Sequence, residues 1–423
     1  MIPSDADAAA LPLSLVARIL VVDAFWTPGL RALREAGCDA IHNPALSERT
    51  LANAMRDLDP DILIVHAMRV DEATLAASER LGLVVCTAPT TDAIAVNAAS
   101  RRGIFVSHCP GRSAAAVAEM VFGLAIASDR RLIEACAATR AGSVDPPLGE
   151  TAAGLVGRTL GIVGLGHVGQ EVAKRGQAFG MQVVAWSRNI TEERCDALGV
   201  DYCANLVNLA KLADVVSVCV SANEESDGLI GEKFFNALRP GSIVINTSPP
   251  STLNEAALLN AVRTRSIRAG LDLHALDEAG RSRDSLKALL SEPAVIATAT
   301  SSALTRQARE AVEDDVVRAV GAWLAEGVVN GCVNRATGTN AVTLIHVRHL
   351  NVPGALAGVF DVLGRAGINV EEMENVICAG GEAGIARIHV SATPTEGQVV
   401  AIRGRPHVLG VTVQAINPEP RVT

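Results

Sequence analysis

Three glycines, Gly164, Gly166 and Gly169, stand in G-x-G-x-x-G spacing within TLGIVGLGHVGQ. That spacing suits the pyrophosphate of a dinucleotide. The first glycine permits a tight turn, the second lets backbone approach the phosphates, and the third lets a helix pack closely on its strand. The free N–H groups of the helix N-terminus then face the phosphates. A chain with 36 glycines produces such spacing by chance, so the flanks decide. An apolar run from Leu160 to Val163 leads in, a helical stretch runs to Gly180, and a second apolar run, Val183 to Trp186, completes a βαβ unit. After that second strand, where an acid commonly binds the ribose 2′-hydroxyl, the chain has Ser187 and Arg188. Losing the carboxylate removes repulsion against a 2′-phosphate, and Arg188 can pair with one. The pair favours NADP but leaves NAD open, because an exposed arginine beside a serine tolerates either.

The elements around this unit alternate. ARILVVDAF, a helix ending at Gly37, DILIVH and LGLVVCT precede it, and a long apolar helix from Val117 to Arg131 leads towards it. Strand candidates DVVSVCV, GSIVINT, IRAGLDL and AVIATA follow, then a helix from Thr305 to Ala325 that stops at Gly327. Such alternation predicts an α/β fold with a doubly wound, Rossmann-type parallel sheet. A composition break, RATGTNA, precedes a different module from about Ala341. There AVTLIHVR reads as a strand and Pro353 stands where a helix would start. Leu356, Val359, Phe360 and Leu363 recur at helical spacing. INVEEMENVI and AGIARIHVSA read as strands, TEGQVVAIRG as a helix and LGVTVQAI as a last strand, giving a ferredoxin-like βαββαβ order.

Composition narrows the class of protein. With 423 residues, 49% hydrophobic and 20% charged, the chain has length for two to three domains with buried cores. A net charge of −9 offers no basic footprint for nucleic acid or an anionic membrane. Nine scattered cysteines without a C-x-x-C pair point to reduced thiols in a cytoplasm, not to a disulfide framework or a metal site. Residues 1 to about 16 read as a loose leader whose acids do not suit a signal peptide, and no apolar run is long enough to span a membrane.

Taken together, RRGIFVSHCPG followed by VAE, VGRTLGIVGLGHVGQ, LRPGSIVINT, AGLDL and HLNVPG resemble the D-isomer-specific 2-hydroxyacid dehydrogenases, especially phosphoglycerate dehydrogenases with a C-terminal ACT domain. The resemblance implies a discontinuous catalytic domain of flavodoxin-like α/β type, residues 1–110 with 305–335. It also implies a dinucleotide-binding domain over 111–304, an ACT domain over 341–423, and a homodimer or homotetramer. It places NAD or NADP on Gly164, Gly166, His167, Val168, Gly169, Ser187, Arg188, Cys219, Val220, Thr247, Ser248 and Asp272. His349, Asn351 and Asn369 match positions that bind an amino-acid effector in related enzymes, or else the ACT module serves dimerisation alone.

The family's catalytic groups are missing. Its substrate arginine belongs in N-T-A-R-G, where this chain reads NTSPPST with Pro249 in that place. No arginine lies between Arg239 and Arg263 to replace it. The acid/base histidine belongs in T-P-H, where this chain reads TATSS with Thr300 there. The position of the orienting glutamate holds Asp277, and the substrate loop reads APTTDA, Ala88 to Ala93. Oxidising a hydroxy acid needs a group to take the hydroxyl proton, worth ~10²–10⁴-fold in rate. The loop SHCPGRS supplies candidates: His108 as relocated acid/base and Arg112 as anion clamp, with Asp277 supporting. Equally, His108 could cap a turn and Arg112 face solvent. His66 and Arg69 are further candidates for an anionic group, His274 reads as structural, and Cys109 and Cys219 read as small buried residues. Three functions compete: an NAD(P)-dependent enzyme with a rebuilt site for a small anion, a redox-neutral lyase or hydrolase that keeps its nucleotide, and a silent sensor of nucleotide and amino acid.

Overall fold

The structure, a computed structural model, describes residues 16–416 apart from 24, 26, 144–151, 274–282, 328, 330 and 337. The chain divides into two compact units, one up to Val333 and one from Asn334. The first unit holds two parallel sheets. One comprises β1 (Arg18–Val21), β2 (Asp39–His42), β3 (Ile62–Val65), β4 (Leu83–Cys86) and β5 (Phe105–His108), in the order β2-β1-β3-β4-β5. β3 and β4 read ILIV and LVVC and are buried throughout, as a parallel sheet covered on both faces requires. The cover on one face comes from far along the chain. Val316 and Val320 of the helix Arg306–Glu326 pack among Ile19, Val21, Leu30, Ile62 and Leu83. That helix starts where Thr305 accepts a hydrogen bond from the Ala308 amide at 3.1 Å, and it ends on Gly327 at φ +70.

The second sheet comprises β6 (Thr159–Val163), β7 (Gln182–Trp186), β8 (Asp201–Tyr202), β9 (Val215–Val218), β10 (Ile243–Asn246), β11 (Arg268–Leu273) and β12 (Val295–Ala299). Its order is β12-β11-β10-β9-β6-β7-β8. The chain therefore winds one way from β6 and the other way from β9, so the switch point lies beside the glycine turn. In open α/β sheets that crevice at the strands' carboxyl ends is where ligands bind. The helix Ala114–Arg130 packs on this sheet so closely that an ideal Cβ at Gly270 would lie 2.8 Å from Leu124 Cβ.

The second unit runs β13 (Thr343–Leu350), helix Ala357–Arg365, β14 (Val370–Ile377), β15 (Ala383–Val390), helix Glu396–Arg403 and β16 (Val408–Ala415). Its antiparallel order, β14-β15-β13-β16, is ferredoxin-like, with Ile345, Val347, Val359, Leu363 and Ile388 in its core. Pro353 does not open the first helix as expected. Gly354, at φ +84, turns the chain, and the helix begins only at Ala357. Among the described residues no helix is long and apolar enough to cross a membrane, and no cluster of metal-ligating side chains occurs.

Candidate active site

The glycine turn after β6 shows different reasons for its three glycines. Gly164 has φ +96, and an ideal Cβ there would lie 2.6 Å from the Cys219 carbonyl oxygen and 2.8 Å from Val220 Cγ1. At Gly169 the added atom would lie 2.0 Å from the Gly164 oxygen. Both answer to the protein's own packing. Gly166 does not: its φ is −74, and apart from its chain neighbours nothing lies within 4 Å of an ideal Cβ. An exposed position with ordinary backbone and open space has no internal need for glycine, but it fits a pyrophosphate that approaches backbone. His167 and Val168 follow in the first turn of the helix His167–Ala178.

Neighbouring strand ends are fixed by side chains expected on the cofactor. Ser248 Oγ donates to the Val218 carbonyl at 3.0 Å and accepts from the Val220 amide at 2.9 Å, locking β9 to β10. Thr247 beside it is buried. Cys219 is half-buried as a residue, but burial of its thiol pushes the pKa up to about 12. Cys109 is likewise pushed up to about 12 by burial and by the charge of Asp315, so neither sulfur is a thiolate nucleophile near neutrality.

Asp272, at the end of β11, is 1% exposed. Its carboxylate accepts from Thr298 Oγ1 at 2.6 Å, from the Ser301 amide at 3.0 Å and from the Ser302 amide at 2.8 Å. Burial pushes the carboxyl up, yet the hydrogen bonds from Ser301, Ser302 and Thr298 outweigh it and hold the pKa below its ordinary value. Asp272, expected on the cofactor, pins the loop after β12. Within that loop Thr300 has φ +47, rare for a β-branched residue, and its amide donates to the Leu273 carbonyl at 2.8 Å.

The carboxyl ends of the first sheet carry a row of polar groups. His108 ends β5, with Nδ1 at 2.9 Å from the Pro89 carbonyl oxygen. A carbonyl only accepts, so Nδ1 bears the hydrogen and the neutral ring keeps its lone pair on Nε2. His66, just past β3, has Nδ1 at 2.9 Å from Thr87 Oγ1, just past β4. The backbone amides of His66, Ala67 and Met68 all donate to Asp23 Oδ2, at 3.0, 3.1 and 3.1 Å. Asp23, in the left-handed region at φ +63, and the Pro89 carbonyl escaped the sequence pattern. The one available signal was that Asp23 directly follows the apolar run of β1.

Arg112 is ion-paired. Its guanidinium pairs with Asp315 on the helix Arg306–Glu326, and the same carboxylate pairs with Arg318. It is a tie between the SHCPGRS loop and the returning helix, with the arginine side chain still 45% exposed. Arg69 is exposed. Asp277 and His274 lie outside the described residues. The loop also meets the glycine turn: an ideal Cβ at Gly111 would lie 2.8 Å from His167 Cγ. His108 is thus three residues from a direct contact with the first residue of the nucleotide helix.

Residues 122–301 match the model of the D-isomer specific 2-hydroxyacid dehydrogenase NAD binding domain. The glyoxylate reductase of Thermococcus litoralis is 34% identical over 230 residues, covering 53% of this chain and 69% of that enzyme. The chain belongs to this dehydrogenase family. The D-3-phosphoglycerate dehydrogenase of Methanocaldococcus jannaschii is 29% identical over 318 residues, 74% of this chain, and the match spans only 59% of that relative's length. A solved relative is the NADPH-dependent glyoxylate/hydroxypyruvate reductase of Sinorhizobium meliloti with NADP and malonate. It is 28% identical with TM-score 0.63, covering 75% of this chain and 97% of that one. Pro249 follows β10 and Thr300 follows β12, and neither side chain offers a cation or a general base.

The three expected effector residues do not converge within one chain. His349 is 2% exposed, with Nδ1 at 2.8 Å from the Leu350 carbonyl and Nε2 at 2.9 Å from Asn375 Oδ1. It sits opposite Gly384, and Asn351 beside it donates to the Gly381 carbonyl at 2.8 Å. Asn369 instead pairs with Ser391, beyond the other end of β15. Ser391 lies seven positions beyond Gly384 along the chain of β15, on the order of 20 Å.

Proposed function

We propose that the first unit is an NAD(P)-dependent oxidoreductase of the 2-hydroxyacid dehydrogenase type, working on a small anionic 2-oxo or 2-hydroxy acid with His108 as relocated acid/base. The observation that carries this reading is the His108 ring. Pro89 fixes its tautomer, and the lone pair of Nε2 is left for proton exchange, three residues before the loop comes against His167. A bound nicotinamide supplies or accepts the hydride. His108 holds the proton that leaves or joins the substrate oxygen. With Arg112 tied to Asp315, His66 and Arg69 are the remaining groups on that edge for a carboxylate. The relatives named as glyoxylate and hydroxypyruvate reductases support this substrate class.

The discontinuous lobes 1–110 with 305–335 and 111–304 form the enzyme in this proposal, and 341–423 regulates it. An amino-acid site using His349, Asn351 and Asn369 together requires a second copy of the chain, consistent with a homodimer. The free cysteines suit a cytoplasmic setting. The test is to offer NADH or NADPH with a panel of small 2-oxo acids and follow nicotinamide absorbance and substrate together. Cofactor oxidation coupled to substrate loss supports the proposal. Substrate loss with unchanged nicotinamide overturns it in favour of a redox-neutral lyase or hydrolase, and binding without turnover favours the sensor.

A further inference from the structure

The sequence places Arg188 where a 2′-phosphate would sit, but not what else reaches that point. β7 ends at Trp186, and Arg188 follows it. In the structure Arg188 is ion-paired with Glu225, which lies in the loop after β9. β7 and β9 flank β6 on either side, so the pair spans the end of the strand that carries the glycine turn. The backbone that carries Glu225 is held in place. Its amide donates to Asn223 Oδ1 at 3.1 Å, and the neighbouring Ser226, 3% exposed, donates through Oγ to the Ser221 carbonyl at 2.7 Å.

We propose that Glu225 sets the dinucleotide preference by holding Arg188, so that the chain accepts NAD more readily than Ser187 and Arg188 alone would allow. The inference rests on the nucleotide site described above. A 2′-phosphate dianion must pull Arg188 from Glu225 and then sit near the freed carboxylate, which repels it. A ribose diol carries no charge, leaves the pair intact and offers hydroxyls that a carboxylate can accept from. Glu225 therefore does from the loop after β9 what an acid directly after β7 does in NAD-binding folds. Both side chains are substantially exposed, 46% and 70%, so the pair biases the choice and does not abolish NADP binding.

The test is calorimetric titration of the full chain with NADH and NADPH, in wild type, Glu225→Gln, Arg188→Ala and the double variant. Glu225→Gln is expected to improve NADPH relative to NADH by roughly fivefold, the range of an exposed ion pair. In the Arg188→Ala background the same change should leave the ratio unmoved. Binding of both cofactors with a ratio that Glu225→Gln alters by less than twofold overturns the inference and leaves the nucleotide site standing. An equal effect with Arg188 removed also overturns it, because the carboxylate then acts without the arginine. Failure of wild type to bind either cofactor removes the nucleotide site itself, and the inference with it.

Discussion

At the scale of single residues, glycines that look alike in sequence do different work, and mutation should separate them. Gly166→Val adds a side chain into open space, so the fold should keep its melting temperature while dinucleotide affinity is lost. Gly169→Ala puts a Cβ 2.0 Å from the Gly164 oxygen, and the strain of such overpacking, about 1–3 kcal/mol, should appear as lost stability. Thermal melts and calorimetry on both variants check the contrast. His108→Ala should lower kcat by ~10²–10⁴ with cofactor affinity unchanged. Steady-state kinetics on the first active substrate test this, and a loss under tenfold would assign the proton transfer elsewhere. The glycine spacing and the βαβ unit around it were legible in the sequence. The partners were not. Asp315, Glu225 and the Pro89 carbonyl stand 203, 37 and 19 residues from Arg112, Arg188 and His108, and no local pattern predicts such pairs.

At the scale of elements, the loop after β12 depends on one buried carboxylate. The Asp272 pKa lies below its unfolded value, so its stabilising contribution is fully present above about pH 3.9 and disappears as pH falls through the lower folded value. Asp272→Asn should therefore cost roughly 1.5–3 kcal/mol at neutral pH, the range for hydrogen bonds to a charged group. It should also flatten the acid limb of stability between about pH 5 and pH 2. Urea unfolding across that range measures both. The regular elements were largely legible because buried parallel strands such as ILIV and long capped helices carry strong local signals. β2 was not, since DAIH is a short edge strand with an exposed first residue and only one buried position. The strand and helix pattern of the second unit was legible, except where the φ of Gly354 delayed a helix that Pro353 suggested would start earlier.

At the scale of the whole molecule, the first sheet is completed by a helix from the far end of the first unit. A chain ending at Val333 should keep both sheets and dinucleotide binding. One ending at Leu304 should lose the first sheet, because Val316 and Val320 leave its core and each buried valine is worth about 1.5–3 kcal/mol. Limited proteolysis of the two truncations, with cleavage expected before residue 110 only in the shorter, distinguishes them. Synthesis gives this arrangement a temporal meaning. Between His108 and Arg306 the ribosome adds 198 residues, a delay of roughly 10–40 s at ~5–20 residues per second. Throughout that interval Ile19, Val21, Ile62 and Leu83 wait without their cover, while β6 to β12 emerge complete. Of the two sheets in the first unit, the one made earlier is thus the later to be sealed, and its uncovered face is open to chaperones and proteases for that interval.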